Sequence, residues 1–76
     1  MCLEKAFRNS LVLLSEKAIR EGTLVTGGFL EIIEHPGFFI SLEDDKSCPD
    51  EVGPHLVLIE IVETKKGRIC VYHNLP

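Results

Sequence analysis

The sequence of 76 residues predicts a mainly β fold, in which one N-terminal helix precedes a five-stranded, strongly bent antiparallel barrel in a single small domain. The first observation behind this prediction is a turn between two apolar runs, residues 23–33 and 38–42. The turn is His35-Pro36-Gly37, where proline presets one backbone angle and glycine accepts the positive φ that a type II turn needs next. The two runs therefore predict a β-hairpin.

Two further observations favour a curled sheet. Gly27 and Gly28 interrupt the first apolar run, and paired glycines inside a strand are typical of a bulge or bend, by which a small sheet curls into a barrel. Residues 55–63 form a strand with apolar side chains on both faces, so both faces should be covered. In so short a chain, that cover indicates a subunit contact.

The first 20 residues allow two interpretations. Apolar residues at helical spacing predict an amphipathic helix over residues 3–20, capped by Gly22, and they are Leu3, Phe7, Leu11, Leu14 and Ala18. A short helix over residues 2–8 and a strand over residues 10–15 fit equally well. The short helix completes the five-stranded barrel. The long helix gives the alternative, an α+β fold with helix 3–20 on a four-stranded antiparallel sheet.

The remaining segments, residues 44–54 and 64–73, each allow one interpretation. Residues 44–54 are acidic, contain prolines and have no apolar periodicity, so they predict a loop. Thr64-Lys65-Lys66-Gly67 predicts a hairpin turn, and residues 68–73 predict the last strand.

Composition narrows the function classes. The net charge of −4 argues against wholesale phosphate binding, so a nucleic-acid role needs a local site. Three cysteines at irregular spacing do not indicate a disulfide framework and predict a reducing, cytoplasmic location. The apolar stretches are all shorter than a membrane span of about 20 residues, and the N-terminus does not resemble a signal peptide, so we expect a soluble protein.

With the short helix, the chain resembles the Sm, LSm and Hfq family of small RNA-binding barrels. Residues 3–7 (LEKAF), 11–14 (LVLL) and 20–25 (REGTLV) are similar to the helix, the first strand and the start of the second strand of that family. Residues 40–44 (ISLED) resemble its third strand, and Tyr72-His73-Asn74 is similar to the Tyr-Lys-His element of Hfq. The chain departs from the family in two places. The loop at residues 34–37 lacks the family's aspartate and asparagine, and the family's Arg-Gly-Asn/Asp motif is absent from the sequence.

The resemblance implies a non-enzymatic protein that forms a homo-oligomeric ring and binds RNA or single-stranded nucleic acid. Strands 55–63 and 68–73 would lie at the interface between subunits, because strand addition removes open edges. Bases would stack at loop residues around a pore. The implied binding residues are His35, Gly37, Tyr72, His73 and Asn74, with Lys65, Lys66 and Arg68 as a basic cluster. Tyr72 also lies on the same strand face as Cys70, and this position equally suits a residue that packs in the core.

Other function classes have less support. Cys48, His55, Cys70 and His73 are possible metal ligands, but they form no CxxC pair, and we expect no metal or other cofactor. Met1-Cys2-Leu3 with Lys5-Ala6 resembles the opening of the small nickel-binding CooT family, and this resemblance implies Cys2 as a metal ligand. Known catalytic motifs are absent, so we expect no enzyme. The main competitor is a protein-interaction module with the long helix.

Overall fold

A computed structural model describes residues 4–44 and 47–75 of the chain. One helix precedes a single antiparallel sheet with the strand order β1-β2-β5-β4-β3, and the sheet is strongly curled into a half-barrel. The prediction of an N-terminal helix and a bent five-stranded antiparallel sheet is therefore confirmed. The elements are α1 Lys5–Glu21, β1 Phe29–Glu31, β2 Phe38–Glu43, β3 Glu51–Val52, β4 Leu56–Thr64 and β5 Gly67–Asn74.

The N-terminal half follows the long-helix interpretation. α1 is continuous, so the predicted strand over residues 10–15 is wrong. Leu11, Ser15 and Ala18 are the buried residues of the helix, and their spacing of three and four places them on one face towards the sheet. Gly22 ends the helix with a positive φ of 81°, and its N–H bonds to the carbonyl of Ile19.

The hairpin at His35-Pro36-Gly37 is confirmed, although its first strand is shorter than predicted. Gly37 has φ of 92°, and the N–H of Phe38 donates to the carbonyl of His35, which closes a turn of type II character. β1 covers only three residues, because Gly27 turns the chain with φ of 82°. The N–H of Gly27 donates to the carbonyl of Leu42 at 2.9 Å.

The fifth strand comes from the segment that was predicted to be a loop. β3 lies within residues 44–54 and pairs with the start of β4, where Glu51 faces Val57 and Val52 faces Leu56. It takes the place of the strand expected at residues 10–15. The hairpin between β4 and β5 has the predicted turn, with Thr64 opposite Gly67.

The two faces of the sheet are covered differently. On one face, buried aliphatic residues of the sheet pack against α1, and they include Ile40, Leu42, Val62, Ile69 and Val71. On the other face, Cys70 and Tyr72 pack with Cys48, and half-buried apolar residues of β2, β3 and β4 surround them.

A disulfide joins the loop to the second face. Cys48 and Cys70 are bonded across 22 residues of sequence, so the expectation that the cysteines form no disulfide is wrong. The hydroxyl of Tyr72 donates to the carbonyl of Pro49 at 2.8 Å and fastens the same loop. The sequence did not indicate this pair, because the partners come close only after the loop crosses the sheet.

The edges of the sheet also differ from the prediction. β5 is the central strand, with β2 on one side and β4 on the other, so residues 68–73 cannot add strands from another subunit. In the described part of the chain, β3 pairs with Leu56 and Val57 on the outer side of β4, and the N–H of Leu58 donates to the carbonyl of Asp50 just before β3. Within those same residues, the structure has no helix that is long and apolar enough to cross a membrane.

Candidate functional site

Four of the predicted binding residues meet at one end of the sheet. The turn that contains His35 and Gly37 lies beside the end of β5, where the N–H of Asn74 donates to the carbonyl of Gly37 at 2.7 Å. A Cβ atom added to Gly37 would lie 3.8 Å from both Cδ2 and Nε2 of His73. Antiparallel pairing of β2 with β5 produces this contact, because it sets Phe38 opposite His73. The structure therefore brings His35, Gly37 and His73 to one surface. Asn74 lies at the same end of the sheet, but its side chain points to the opposite face, where Leu56 and Tyr72 lie, because it follows His73 in β5.

Aromatic and imidazole rings form the centre of this surface. The rings of Phe38 and His73 are stacked, with centroids 4.5 Å apart and planes inclined by 27°. Phe7 contacts His35 edge-on at 4.5 Å and Phe38 at 5.5 Å. We call these four residues, Phe7, His35, Phe38 and His73, the ring cluster. Its members come from the helix, the hairpin turn, β2 and β5.

An open cleft adjoins the ring cluster. The cleft has a volume of about 440 Å³, and its walls include Phe7, His35 and Phe38 together with Ala6 and Ser10 of the helix. Aromatic side chains on one wall and small side chains on the other leave space in which a flat group can lie against a ring.

The electrostatic character of the cleft is acidic. Glu4 lines it, and Glu31 lies on the neighbouring strand, where its Oε2 accepts a long bond of 3.5 Å from the N–H of Gly37. Glu34 precedes His35 in the turn and is exposed. Phosphate groups are therefore not favoured within the cleft, whereas the ring faces remain suitable for stacking or for a cation.

Tyr72 is not part of this surface. Its side chain has 0% exposure, on the opposite face of the sheet from the ring cluster, where its ring lies 5.8 Å from that of Phe29. Alternation along β5 explains the position, because neighbouring residues of a strand point to opposite faces. The prediction that Tyr72 contacts nucleic acid is corrected accordingly, and the core-packing interpretation holds.

The basic cluster lies at the other end of β5. Lys65 and Lys66 form the turn between β4 and β5, so the eight residues of β5 separate them from Asn74 by roughly 23 Å. Arg68 pairs with Glu63, with Nε and Oε2 2.9 Å apart, and it faces Glu43 across the sheet. The predicted binding residues therefore divide into two groups, and acidic neighbours offset part of the positive charge of the second group.

The structure does not assemble a metal site from the predicted ligand types. Cys48 and Cys70 are joined to each other, so neither offers a thiolate. Across residues 4–44 and 47–75, no group of three or more His, Cys, Asp or Glu side chains could hold a metal ion. Cys2 lies outside the described residues.

Phe7 and Phe38 are the site residues that the sequence analysis did not identify. Phe7 was recognised only as one residue of the helical stripe, and Phe38 as one residue of an apolar strand. Their contacts with His35 and His73 join distant parts of the chain, so local patterns carried no signal for them.

No protein-family model, curated protein or solved structure matches this chain. The Sm-like resemblance is neither supported nor contradicted by a relative, and it stays a prediction.

Proposed function

We propose that the protein is a non-enzymatic binding protein that takes a base of RNA or single-stranded nucleic acid at the ring cluster. The observation that supports this proposal most is the meeting of His35, Gly37 and His73 at one surface. Bases of single strands are commonly held by stacking on aromatic or imidazole rings, while an amide bonds to the base edge. His35 and His73 would supply the rings. Asn74 would contribute only the backbone bond that holds the turn at Gly37, because its side chain points to the opposite face.

Stacking rather than charge would dominate this binding. The cleft is acidic, and Lys65 and Lys66 lie at the far end of the sheet, so a bound strand makes few phosphate contacts. Affinity that rests on few phosphate contacts falls only slowly with salt concentration. A shallow salt dependence is therefore part of the proposal.

Fluorescence anisotropy with labelled oligouridylate and oligoadenylate tests the proposal. We expect His73→Ala to lower the affinity by about tenfold, because one stacked base contributes roughly 1–3 kcal/mol. Asn74→Ala should change it little, because this side chain lies on the other face of the sheet. The control is the double variant Lys65→Ala, Lys66→Ala, which removes charge far from the ring cluster and should bind almost as the wild type does.

Three results would contradict the proposal. Wild-type protein that binds neither oligonucleotide would refute the function. Equal binding by the wild type and His73→Ala would refute the site. A loss of binding in the lysine control alone would move the site to the turn between β4 and β5.

A protein-interaction module is the second candidate function. The specific observation in its favour is the acidic rim around aromatic rings, since Glu4 lines the cleft beside Phe7 and Phe38. A lysine or arginine side chain of a partner would find both carboxylates and ring faces there. Binding of a basic peptide that competes with the oligonucleotide, or replaces it entirely, would favour this candidate.

Self-association remains part of the proposed function. A ring built through residues 68–73 is not proposed, because β5 is the central strand. Of the two strands expected at the interface, β4 alone keeps an outer side that β3 covers only in part.

We also propose a cytoplasmic location. Cys48 and Cys70 would be mainly thiols in that compartment, because reducing systems keep disulfides rare there.

A further inference from the structure

The cleft beside the ring cluster combines ring faces with polar side chains. Its lining includes Phe7, His35, Phe38, Glu4 and Ser10. The rings account for how a flat group is held there, whatever its edge carries. The polar side chains of the same lining determine which edge suits the cleft best.

The three rings of the lining enclose a corner. The planes of Phe7 and Phe38 are inclined by 77°, and the plane of His35 is inclined by 64° to the first and by 85° to the second. A flat group that lies against one of these rings therefore meets the other two with its edge. The rest of its edge is left for the polar part of the lining.

Glu4 is the acidic residue of this lining. It occupies the N-cap position of α1, where its side chain makes no capping hydrogen bond, and it is exposed. Phe7 follows three residues later and lines the same cleft. The neighbouring cations, Lys5 and Arg8, do not line the cleft, and Arg8 is paired with Glu60 of β4. A carboxylate thus stands beside the rings without a cation in the lining to neutralise it.

The edge of guanine matches a carboxylate better than the edges of the other bases do. A carboxylate accepts two hydrogen bonds through its neighbouring oxygens and donates none. The Watson–Crick edge of guanine carries two adjacent donors, N1–H and the 2-amino group. Adenine and cytosine place one amino group beside a bare ring nitrogen, and uracil places its N–H between two carbonyl oxygens. In those three bases an acceptor faces the carboxylate, which is repulsive.

We propose that the cleft selects guanine, with the base in the corner of the rings and the carboxylate of Glu4 accepting hydrogen bonds from N1–H and the 2-amino group. Bidentate bonds to a charged group are stronger and more directional than bonds between neutral groups. The phosphates of the strand stay outside, because the cleft is acidic. This base preference rests on the proposed function and adds a ligand to it.

A strand, and not a free nucleoside, is the source of this guanine. His73 is stacked on Phe38 and does not line the cleft, so it offers a ring for the base next to the guanine. A nucleoside fills the cleft but makes no contact with that second ring. Contacts at two bases therefore favour the strand.

The test is fluorescence anisotropy with labelled oligouridylates that differ only in one central base. We expect a central guanine to bind about fivefold more tightly than a central uracil, adenine or cytosine, at the low end for a bidentate pair because the cleft is open to solvent. Comparison with adenine isolates the edge, because both purines stack over a similar area. A central inosine lacks the 2-amino group and should lose most of the preference.

Glu4→Gln should bring the ratio of the guanine and adenine affinities close to one. An amide places a donor beside its acceptor and cannot accept from both guanine donors. A ratio is insensitive to the general gain in affinity that the loss of a negative charge brings. The matched control is Glu34→Gln, because Glu34 is exposed, precedes His35 and does not line the cleft. It removes the same charge nearby and should leave the ratio unchanged.

The possible failures are distinguishable. Absence of binding to every strand would refute the proposed function itself. Equal affinity for all four central bases would overturn the guanine preference and leave the proposed function in place. A preference that Glu4→Gln keeps, or that Glu34→Gln removes, would overturn the role of Glu4. Displacement by free guanosine at concentrations near the Kd of the strand would overturn the assignment to a strand.

Discussion

The two faces of the sheet are buried by different means. α1 covers one face with a stripe of apolar side chains, and its cover rests on packing around the fully buried Leu11. The loop before β3 covers part of the other face, and its cover rests on the Cys48–Cys70 disulfide and on the hydrogen bond from Tyr72 to Pro49. The helix thus relies on apolar area, whereas the loop relies on individual bonds.

The difference follows from what each segment can bury. A helix with apolar residues three and four apart presents a continuous stripe, and each buried aliphatic side chain contributes roughly 1.5–3 kcal/mol. The sequence of residues 44–50 is mostly polar, and in the described part of this segment Cys48 is the buried residue. A short polar segment gains little from apolar burial, so a covalent bond that limits the unfolded chain is an effective substitute.

The largest expected loss of stability comes from a substitution on the face of the sheet that α1 covers. Leu11→Ala should lower the free energy of unfolding by roughly 2–5 kcal/mol, because it removes a fully buried side chain and leaves a cavity. Urea unfolding followed by circular dichroism measures the change. The matched control is Leu13→Ala, two residues further along the same helix, which should change stability by only about 0.5 kcal/mol at low protein concentration. Equal losses for the two variants would show that α1 is not packed as described.

The second effect concerns the loop-covered face. Reduction of the disulfide, or Cys48→Ser, should lower the free energy of unfolding by roughly 3 kcal/mol, because the bond closes a loop across 22 residues. Unfolding curves with and without reductant measure it. Cys2→Ser is the control, because it keeps Cys48 and Cys70 as the remaining cysteines and should respond to reductant as the wild type does. A wild-type curve that reductant does not move would contradict this role of the bond.

The smallest effect isolates one hydrogen bond on the same face. Tyr72→Phe should lower the free energy of unfolding by about 1 kcal/mol near neutral pH, since it removes the donor to Pro49. Burial, and then the charges of Glu43 and Asp50, raise the pKa of Tyr72 above its ordinary value of 10.0. The raised pKa adds stability that is fully present below pH 10.0 and is lost as the pH rises through the folded-state pKa.

Two measurements check this pH dependence. Tyr72 is the single tyrosine of the chain, so tyrosinate absorbance of the folded protein reports its titration alone, and the midpoint should lie above 10.0. The wild type should also lose stability above that pH relative to Tyr72→Phe. A midpoint at or below the ordinary value would contradict the buried position of this side chain.

The sequence by itself determined the features that depend on near neighbours. Pro36 and Gly37 specify their turn through their own backbone preferences, and the pair Lys65-Lys66 lies at a tight turn as predicted. The apolar helical stripe through Leu11 and Ala18 was also predicted from the sequence, because its residues lie on one face of a single helix. These interactions span a few residues, so the order of residues along the chain contains them.

Tertiary structure decided the rest. Residues 10–15 suit a strand or a helix locally, and the apolar floor of the sheet selects the helix because only that form turns Leu11, Ser15 and Ala18 to one side. The bond between Cys48 and Cys70, the burial of Tyr72 and the contact of Phe7 with His35 each require two distant segments to cross the same sheet. Such contacts depend on strand order, which puts β5 at the centre and which short-range residue patterns do not encode.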